Sequence, residues 1–264
     1  MSKPIIVGID IETSPIIAYT WGTFKQFIGL NQIIRDWSIL SYCAIDLEDV
    51  ENPKKYRYQD VSKQKDFYDD RAIMQGLWEE LDRADIIITQ NGKKFDVKKI
   101  NARFLTHGMP PPTPYKVIDT MLEARAIAAL TSNKLEWLTA VLAPDQKKDK
   151  HNDFPGFELW SECLKGNKKA WASMKKYNPQ DVVGMLLVYL KLRPFMIGHP
   201  NVAVYGDGEA MTCPKCGSED VVQRGFTFTQ TGKYQRIKCK CCGGWGRTRY
   251  TENTTETRKS LLSN

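Results

Sequence analysis

Four carboxylates and one phenol are spaced along this chain as a hydrolytic metal site requires. Gly8-Ile9-Asp10-Ile11-Glu12-Thr13 closes a short apolar run, Ile5-Ile6-Val7, that reads as a buried strand. Residues two apart in a strand point to the same face, so Asp10 and Glu12 stand side by side at its end. Two like charges held that close need something positive between them, and a hard divalent cation is the simplest candidate. Asp-x-Glu alone reads equally well as one carboxylate capping a turn and another in water. The pair gains weight from Asp96, at the head of a helix entered from another strand, and from Asp181, four residues after Tyr177. Four carboxylates meeting at one point suit two divalent ions, Mg²⁺ or Mn²⁺, about 3.5–4 Å apart, which stabilise the attacking and leaving oxygens of phosphoryl transfer. Tyr177 would orient the attacking water first and act as a base second, since a phenol with a pKa near 10 keeps its proton at neutral pH.

A second cluster carries different chemistry. Cys213-Pro-Lys-Cys216-Gly and Cys239-Lys-Cys241-Cys242-Gly form two cysteine knuckles. Their spacing fits one tetrahedral Zn²⁺ held by Cys213, Cys216, Cys239 and Cys242, each pair ending in Cys-Gly. Cys241 is the spare thiol or an alternative ligand. Free thiols or a disulfide fit the spacing and a reducing compartment poorly. Between the knuckles, Val221-Val222, Phe226-Thr-Phe228 and Tyr234-Gln-Arg236-Ile237 read as short strands with a turn at Gly232. The module resembles a zinc ribbon. With so little core, metal must supply much of its folding free energy.

The elements that position the carboxylates follow from the pattern. Residues 37–45 and 56–61 read as strands parted by an Asn52-Pro53 turn, and 85–89 as a short buried strand. Residues 69–83 carry Ile73, Leu77 and Leu81 at helical spacing. After the Gln90-Asn91-Gly92 turn, Phe95-Asp96-Val97 opens a helix, and 115–119 is a fifth strand with Asp119-Thr120 as a helix cap. Further helices are expected over 121–129, 134–142, 157–165 and 167–175. A separate last helix should begin at Asn178-Pro179, Asn as cap and Pro at the first position, and end before Pro194. That boundary leaves Tyr177 just outside it. The result is an α/β fold, a mixed five-stranded sheet flanked by helices. An aromatic loop, Tyr19, Trp21, Phe24 and Phe27, is either a base-stacking wall near Glu12 or a hydrophobic plug over the sheet edge.

Composition sets the frame. With 264 residues, 42% hydrophobic and 26% charged, the chain suits one large domain or one domain plus a small module. The expected layout is 1–198, a linker at 199–211, the ribbon at 212–250 and a disordered tail at 251–264. No apolar run approaches a membrane span, and the start lacks the pattern of a signal peptide, so the expected location is the cytoplasm. From Met211 onward ten basic residues face four acidic ones, an excess of six within the overall net charge of +7. A zinc-bound thiolate set would lower that excess by about two. A basic tail on a nearly neutral body points to a polyanion, here nucleic acid. Arg224, Lys233, Arg236, Lys238, Lys240, Arg247 and Arg249, interleaved with aromatic rings, fit such a surface; docking to a protein is the alternative. Lys93, Lys94, Lys98 and Lys99 around Asp96, and Lys147-Lys148 further on, either guide phosphates or form a solvated face. His107, His151 and His199 lack ligand spacing and read as surface or packing residues.

Asp10-Ile-Glu12-Thr13, Asn91-x-x-x-Phe95-Asp96 and Tyr177-x-x-x-Asp181, in that order, resemble the three motifs of the DEDD, or DnaQ-like, 3′→5′ exonucleases. The Tyr-x-x-x-Asp form resembles their tyrosine subgroup; the histidine subgroup would need His where this chain has Lys176. The resemblance implies an RNase H-like fold and two-metal hydrolysis at a free 3′ end, releasing nucleoside monophosphates. It implies that Asp10, Glu12 and Asp181 share one metal, that Asp10 bridges to the other, and that Asp96 acts through water. It places Thr13, Asn91 and Phe95 near the terminal nucleotide. The layout resembles small free-standing exonucleases of bacteriophages and some bacteria, with single-stranded DNA the favoured substrate, RNA the alternative, and a polymerase a partner only in trans. The rivals are a non-catalytic nucleic-acid-binding protein and an RNase H-type endonuclease. The full carboxylate set argues against the first, and the tyrosine beside Asp181 argues against the second.

Overall fold

β1 (Ile6–Thr13) is the middle strand of a five-stranded sheet, with two strands on either side of it. In this computed structural model, which describes residues 3–146, 153–208 and 210–263, β1 is followed by a small hairpin of β2 (Ile17–Ala18) and β3 (Ile33–Arg35). Next come β4 (Ile39–Asp46), β5 (Arg57–Asp60), α1 (Arg71–Asp82), β6 (Ile86–Thr89), α2 (Asp96–Thr106), β7 (Lys116–Asp119) and α3 (Thr120–Ile127). α4 (Leu135–Leu142), α5 (Glu158–Leu164) and α6 (Lys168–Leu192) complete this part of the chain. The sheet order is β5-β4-β1-β6-β7. β4 runs antiparallel to β1 and to β5, whereas β6 is parallel to β1 and to β7. β6 is buried at every position, Ile86-Ile87-Ile88-Thr89, as a parallel strand covered on both faces must be. The sheet is thus the mixed five-stranded one the sequence predicts, flanked by helices. Lys147, Lys148 and His151 lie outside the described residues.

Two buried features fix how the elements meet. Val7, Ile9 and Ile11 point from β1 into the core with Tyr42, Leu77, Ile100 and Phe104. Asp70, fully buried ahead of α1, accepts hydrogen bonds from the Ile39 N–H at 2.9 Å and from Arg103 Nε and Nη2, each at 2.7 Å. His107 Nε2 lies 2.6 Å from the same carboxylate. One side chain therefore ties the starts of β4 and α1 to the end of α2. A buried carboxylate is tolerated only when paired in this way.

The sequence predicts two helices over 167–175 and 178–193; the structure has one. α6 runs through Asn178 and Pro179 without a break. Proline inside a helix costs about 3 kcal/mol. The same apolar face continues on both sides of it, with Trp171 and Met174 before and Val182, Met185, Leu186 and Tyr189 after, all buried. Each such side chain contributes roughly 1.5–3 kcal/mol on burial, so continuity wins. Tyr177 and Asp181 consequently share one helix, one above the other.

The chain forms two compact units, Ile5–Tyr189 and Leu190–Asn264 with Met1–Pro4. In the second, β8 (Val221–Phe228), β9 (Lys233–Cys239) and β10 (Trp245–Arg247) make an antiparallel sheet in the order β10-β9-β8. Within the stretch expected as a linker, 199–211, Val202 is buried, and its N–H bonds to the Pro214 carbonyl at 2.8 Å. The stretch expected as a disordered tail is ordered in part. Thr251 Oγ1 and the Glu252 N–H both donate to the Lys233 carbonyl, and Thr254 caps α7 (Thr255–Ser260). The polarity that suggests disorder is absorbed by hairpin backbone groups. No helix among the described residues is long and apolar enough to cross a membrane.

Candidate nuclease and zinc sites

Gly8 sets the approach of α6 to β1. A Cβ there would lie 2.8 Å from the Leu186 side chain, so any larger residue would force Leu186 to shift where the helix seats against this face of the strand. From Gly8 the strand advances two residues, about 6.6 Å, to Asp10. From Leu186 the helix runs back five residues, about 7.5 Å, to Asp181. The near-equal steps bring the two carboxylates level. Asn178, fully buried on the same helix, donates from Nδ2 to Asp10 Oδ2 at 2.6 Å.

Asp96 arrives from the other side. β6 pairs with β1 only as far as Gly8, so the Ile11 N–H beyond it is free for a side chain. Asp96 Oδ1 accepts it at 3.2 Å. The turn ahead of Asp96 is held by Asp119, which accepts from the N–H groups of Asn91 at 3.0 Å and Lys93 at 3.2 Å while also capping α3. Asn91 sits at φ +61°, a left-handed position that asparagine tolerates. Phe95 is exposed beside Asp96, with the Lys99 ammonium 5.6 Å from its ring. Thr13 lies where the β1–β4 register shifts, opposite Ile39.

The charges of this site act on one another. Burial raises the Asp10 carboxyl well above its usual range, and the charges of Asp96, Glu12 and Asp181 push it further up, against the Asn178 hydrogen bond. Asp96 is pushed up to about 7, chiefly by burial, while the Ile11 N–H draws it down. Glu12 accepts a hydrogen bond from Trp160 Nε1 at 2.9 Å, and the Trp160 ring meets Tyr177 edge-on at 6.1 Å. Burial, then the charges of Asp181 and Glu12, hold the Tyr177 phenol far above its ordinary value, and its hydroxyl donates to Asp181. The structure brings together Asp10, Glu12, Asp96, Tyr177 and Asp181. It adds three residues without a predicted role here: Trp160, Asn178 and, one shell out, Asp119.

Crowded carboxylates are the donor set a hard divalent cation prefers. No three of them among the described residues have ligand oxygens all within 4.8 Å of one another. Three oxygens on one Mg²⁺ or Mn²⁺ at about 2.1 Å would lie within about 4.2 Å of one another, so Asp10, Glu12 and Asp181 are not gathered as ligands of one ion in this structure.

The cysteines do meet that separation. Sγ atoms of Cys213, Cys216, Cys239 and Cys242 all lie within 4.8 Å, and Cys241 is exposed and outside the group. Cys213 to Cys242 is 3.7 Å and Cys216 to Cys239 is 3.6 Å. Thiolates 2.3 Å from a tetrahedral zinc lie about 3.8 Å apart, and a disulfide would need about 2.05 Å. N–H groups of Lys215, Cys242 and Gly244 each approach a sulfur at 3.4 Å, as they do around bound thiolates. The group fits zinc.

Other expected surface elements separate clearly. Tyr19, Trp21, Phe24 and Phe27 are 73%, 98%, 76% and 98% exposed, so they do not plug the sheet edge. Lys93, Lys94 and Lys98 are exposed, whereas Lys99 lies 3.5 Å over the Trp37 ring. His199 Nδ1 lies 2.6 Å from the Pro200 carbonyl.

Residues 39–193, more than half of the chain, match the family model of the RNase H superfamily. The matched span contains Asp96, Tyr177 and Asp181; β1 precedes it and the cysteine module follows it. Among solved structures, the family B DNA polymerase from the hyperthermophilic archaeon Pyrobaculum calidifontis is similar over 74% of this chain and 26% of that one, at 12% identity and a TM-score of 0.46. No curated protein sequence matches the chain. On the family match and the mixed sheet together, this chain belongs to the RNase H superfamily.

Proposed function

We propose that this chain is a metal-dependent 3′→5′ exonuclease of the DEDD type, tyrosine subgroup, that trims single-stranded DNA and carries a zinc ribbon. The observation that supports it most is the convergence on Asp10 of Glu12 from the same strand, Asp96 from α2 and Asp181 from α6. Asp10, Glu12, Asp96 and Asp181 would hold two Mg²⁺ or Mn²⁺ ions. When bound, such ions stabilise negative charge on the attacking and leaving oxygens of a phosphodiester. Asn178 and Trp160 fix the Asp10 and Glu12 carboxylates with neutral N–H donors, which leaves their charge for cations. Tyr177, hydrogen-bonded to Asp181, orients the attacking water first and acts as general base second. Phe95 offers an exposed ring beside Asp96 for the last base, with Thr13 and Asn91 near the terminal sugar and phosphate. Cys213, Cys216, Cys239 and Cys242 hold one structural zinc.

The test uses 5′-labelled DNA and RNA oligonucleotides, with free or blocked 3′ ends, in Mg²⁺ or Mn²⁺. The expected result is a ladder that shortens only from free 3′ ends and disappears with Asp10→Ala. Cutting of blocked or circular substrate would replace this reading with an endonuclease, and retained binding with no cutting would replace it with a scaffold.

A further inference from the structure

The register of the C-terminal sheet sorts its basic residues onto two faces. Along β9, Ile237 and Cys239 are buried toward the cysteine group, so Tyr234, Arg236 and Lys238 point the other way. β10 pairs Trp245 with Lys238 and Arg247 with Arg236, and directly paired residues share a face. Tyr234, Arg236, Lys238, Trp245 and Arg247 therefore lie together, with Arg236, Trp245 and Arg247 exposed. Lys233 falls on the opposite face, 4.0 Å over the Phe226 ring.

Arg236 and Arg247 face each other across the strands, a like-charge pairing that destabilises a sheet. Among the described residues no carboxylate lies within ion-pair distance of Arg236, Lys238 or Arg247, although Lys240 by the knuckle reaches Asp220 at 3.3 Å. Arg236 Nε donates to the Arg224 carbonyl at 2.9 Å and Arg247 Nη1 to the Thr248 carbonyl at 3.4 Å, which leaves both charges without a counter-ion, and each cation lies against a ring. Arg247 is 3.8 Å over Tyr234, and Arg236 and Lys238 are 4.8 and 5.6 Å from Trp245. A ring face covered by a cation is closed to base stacking on that side. The rings hold positive groups in place, about 7 Å apart along the strand and about 5 Å across it. An anion with regularly repeated charge relieves this arrangement.

We infer that the Arg236–Lys238–Arg247 face of the C-terminal sheet binds the phosphate backbone of single-stranded nucleic acid without reading its bases. The inference rests on the nuclease reading above for its choice of polyanion, and it names which face does the holding.

The test measures anisotropy of a 5′-labelled oligodeoxythymidylate bound to the full chain across a salt series. Asp10→Ala is the background, so that the strand stays intact, and no Mg²⁺ or Mn²⁺ is added. Adding Arg236→Ala with Arg247→Ala should weaken binding and reduce the slope of log K against log salt by about 1.4, two contacts at about 0.7 each. The paired change to Lys should restore most of that slope, because a phosphate contact needs the charge and not the guanidinium fork. An unchanged slope in the Ala pair overturns the inference, and so does an equal loss in the Lys pair. Polyglutamate competing as well as DNA of equal charge also overturns it, in favour of an acidic protein partner. Cleavage by the chain with Asp10 intact judges the nuclease reading separately.

Discussion

Asn178 Nδ2 lies 2.6 Å from Asp10 Oδ2 and 3.4 Å from the Asp10 carbonyl, so one amide holds both the side chain and the backbone of the first carboxylate. The contact spans 168 positions of sequence and joins α6 to β1. Groups that orient metal ligands are typically worth 10–100-fold in metal affinity. Asn178→Ala should weaken Mn²⁺ binding by about that factor, read by calorimetry or electron paramagnetic resonance of the free ion. Its effect should exceed that of Lys176→Ala, an exposed change on the same helix. Equal Mn²⁺ affinity in wild type and Asn178→Ala would remove the amide from the metal site.

Asp70 supplies a stability prediction far from that chemistry. Burial alone would raise its carboxyl; the Arg103 hydrogen bonds, the Ile39 N–H and His107 outweigh burial and hold it below the usual value. A depressed carboxyl contributes stability that is present above its unfolded pKa of about 3.9 and is lost as pH falls through the lower, folded value. Arg103→Leu strands a buried charge and should cost about 3–5 kcal/mol at neutral pH. In urea unfolding the gap between wild type and variant should narrow as pH is taken below about 4, where Asp70 takes up a proton. A gap that stays constant into acid would show that Arg103 acts through packing alone.

How much of this was legible beforehand depends on the range of each signal. Asp10 and Glu12 show themselves through the period of two in a strand, and Ile86-Ile87-Ile88 through an unbroken apolar run; both are local. Asn178 is in plain view beside Tyr177, yet Asn-Pro is a start signal for a helix, and that reading hides its side chain. Burial on both sides of Pro179 decides otherwise, and no local rule contains it. Trp160 is one of seven tryptophans, and its bond to Glu12 crosses 148 positions, which no spacing encodes. The sorting of Arg236 from Lys233 onto opposite faces of one strand needed only β periodicity plus the observation that Ile237 and Cys239 are the buried side.

The cysteine group permits a count that separates its members. Of its protein core only a few side chains are buried, among them Val202, Ile237, Cys213 and Cys239. Structural zinc contributes on the order of 10–16 kcal/mol in such modules, far more than four such side chains provide. One zinc per chain is therefore expected by metal analysis. Cys239→Ser should release it and abolish the ordered signal of the small sheet, monitored through Trp245. Cys241, exposed and outside the group, should be replaceable by Ser with the zinc retained. In the native loaded protein a thiol reagent should find Cys241 quickly and spare Cys43 and Cys163, which are buried. Loss of zinc in Cys241→Ser, or its retention in Cys239→Ser, would mean that the tetrad is assembled differently from the one whose sulfurs lie 3.6 and 3.7 Å apart.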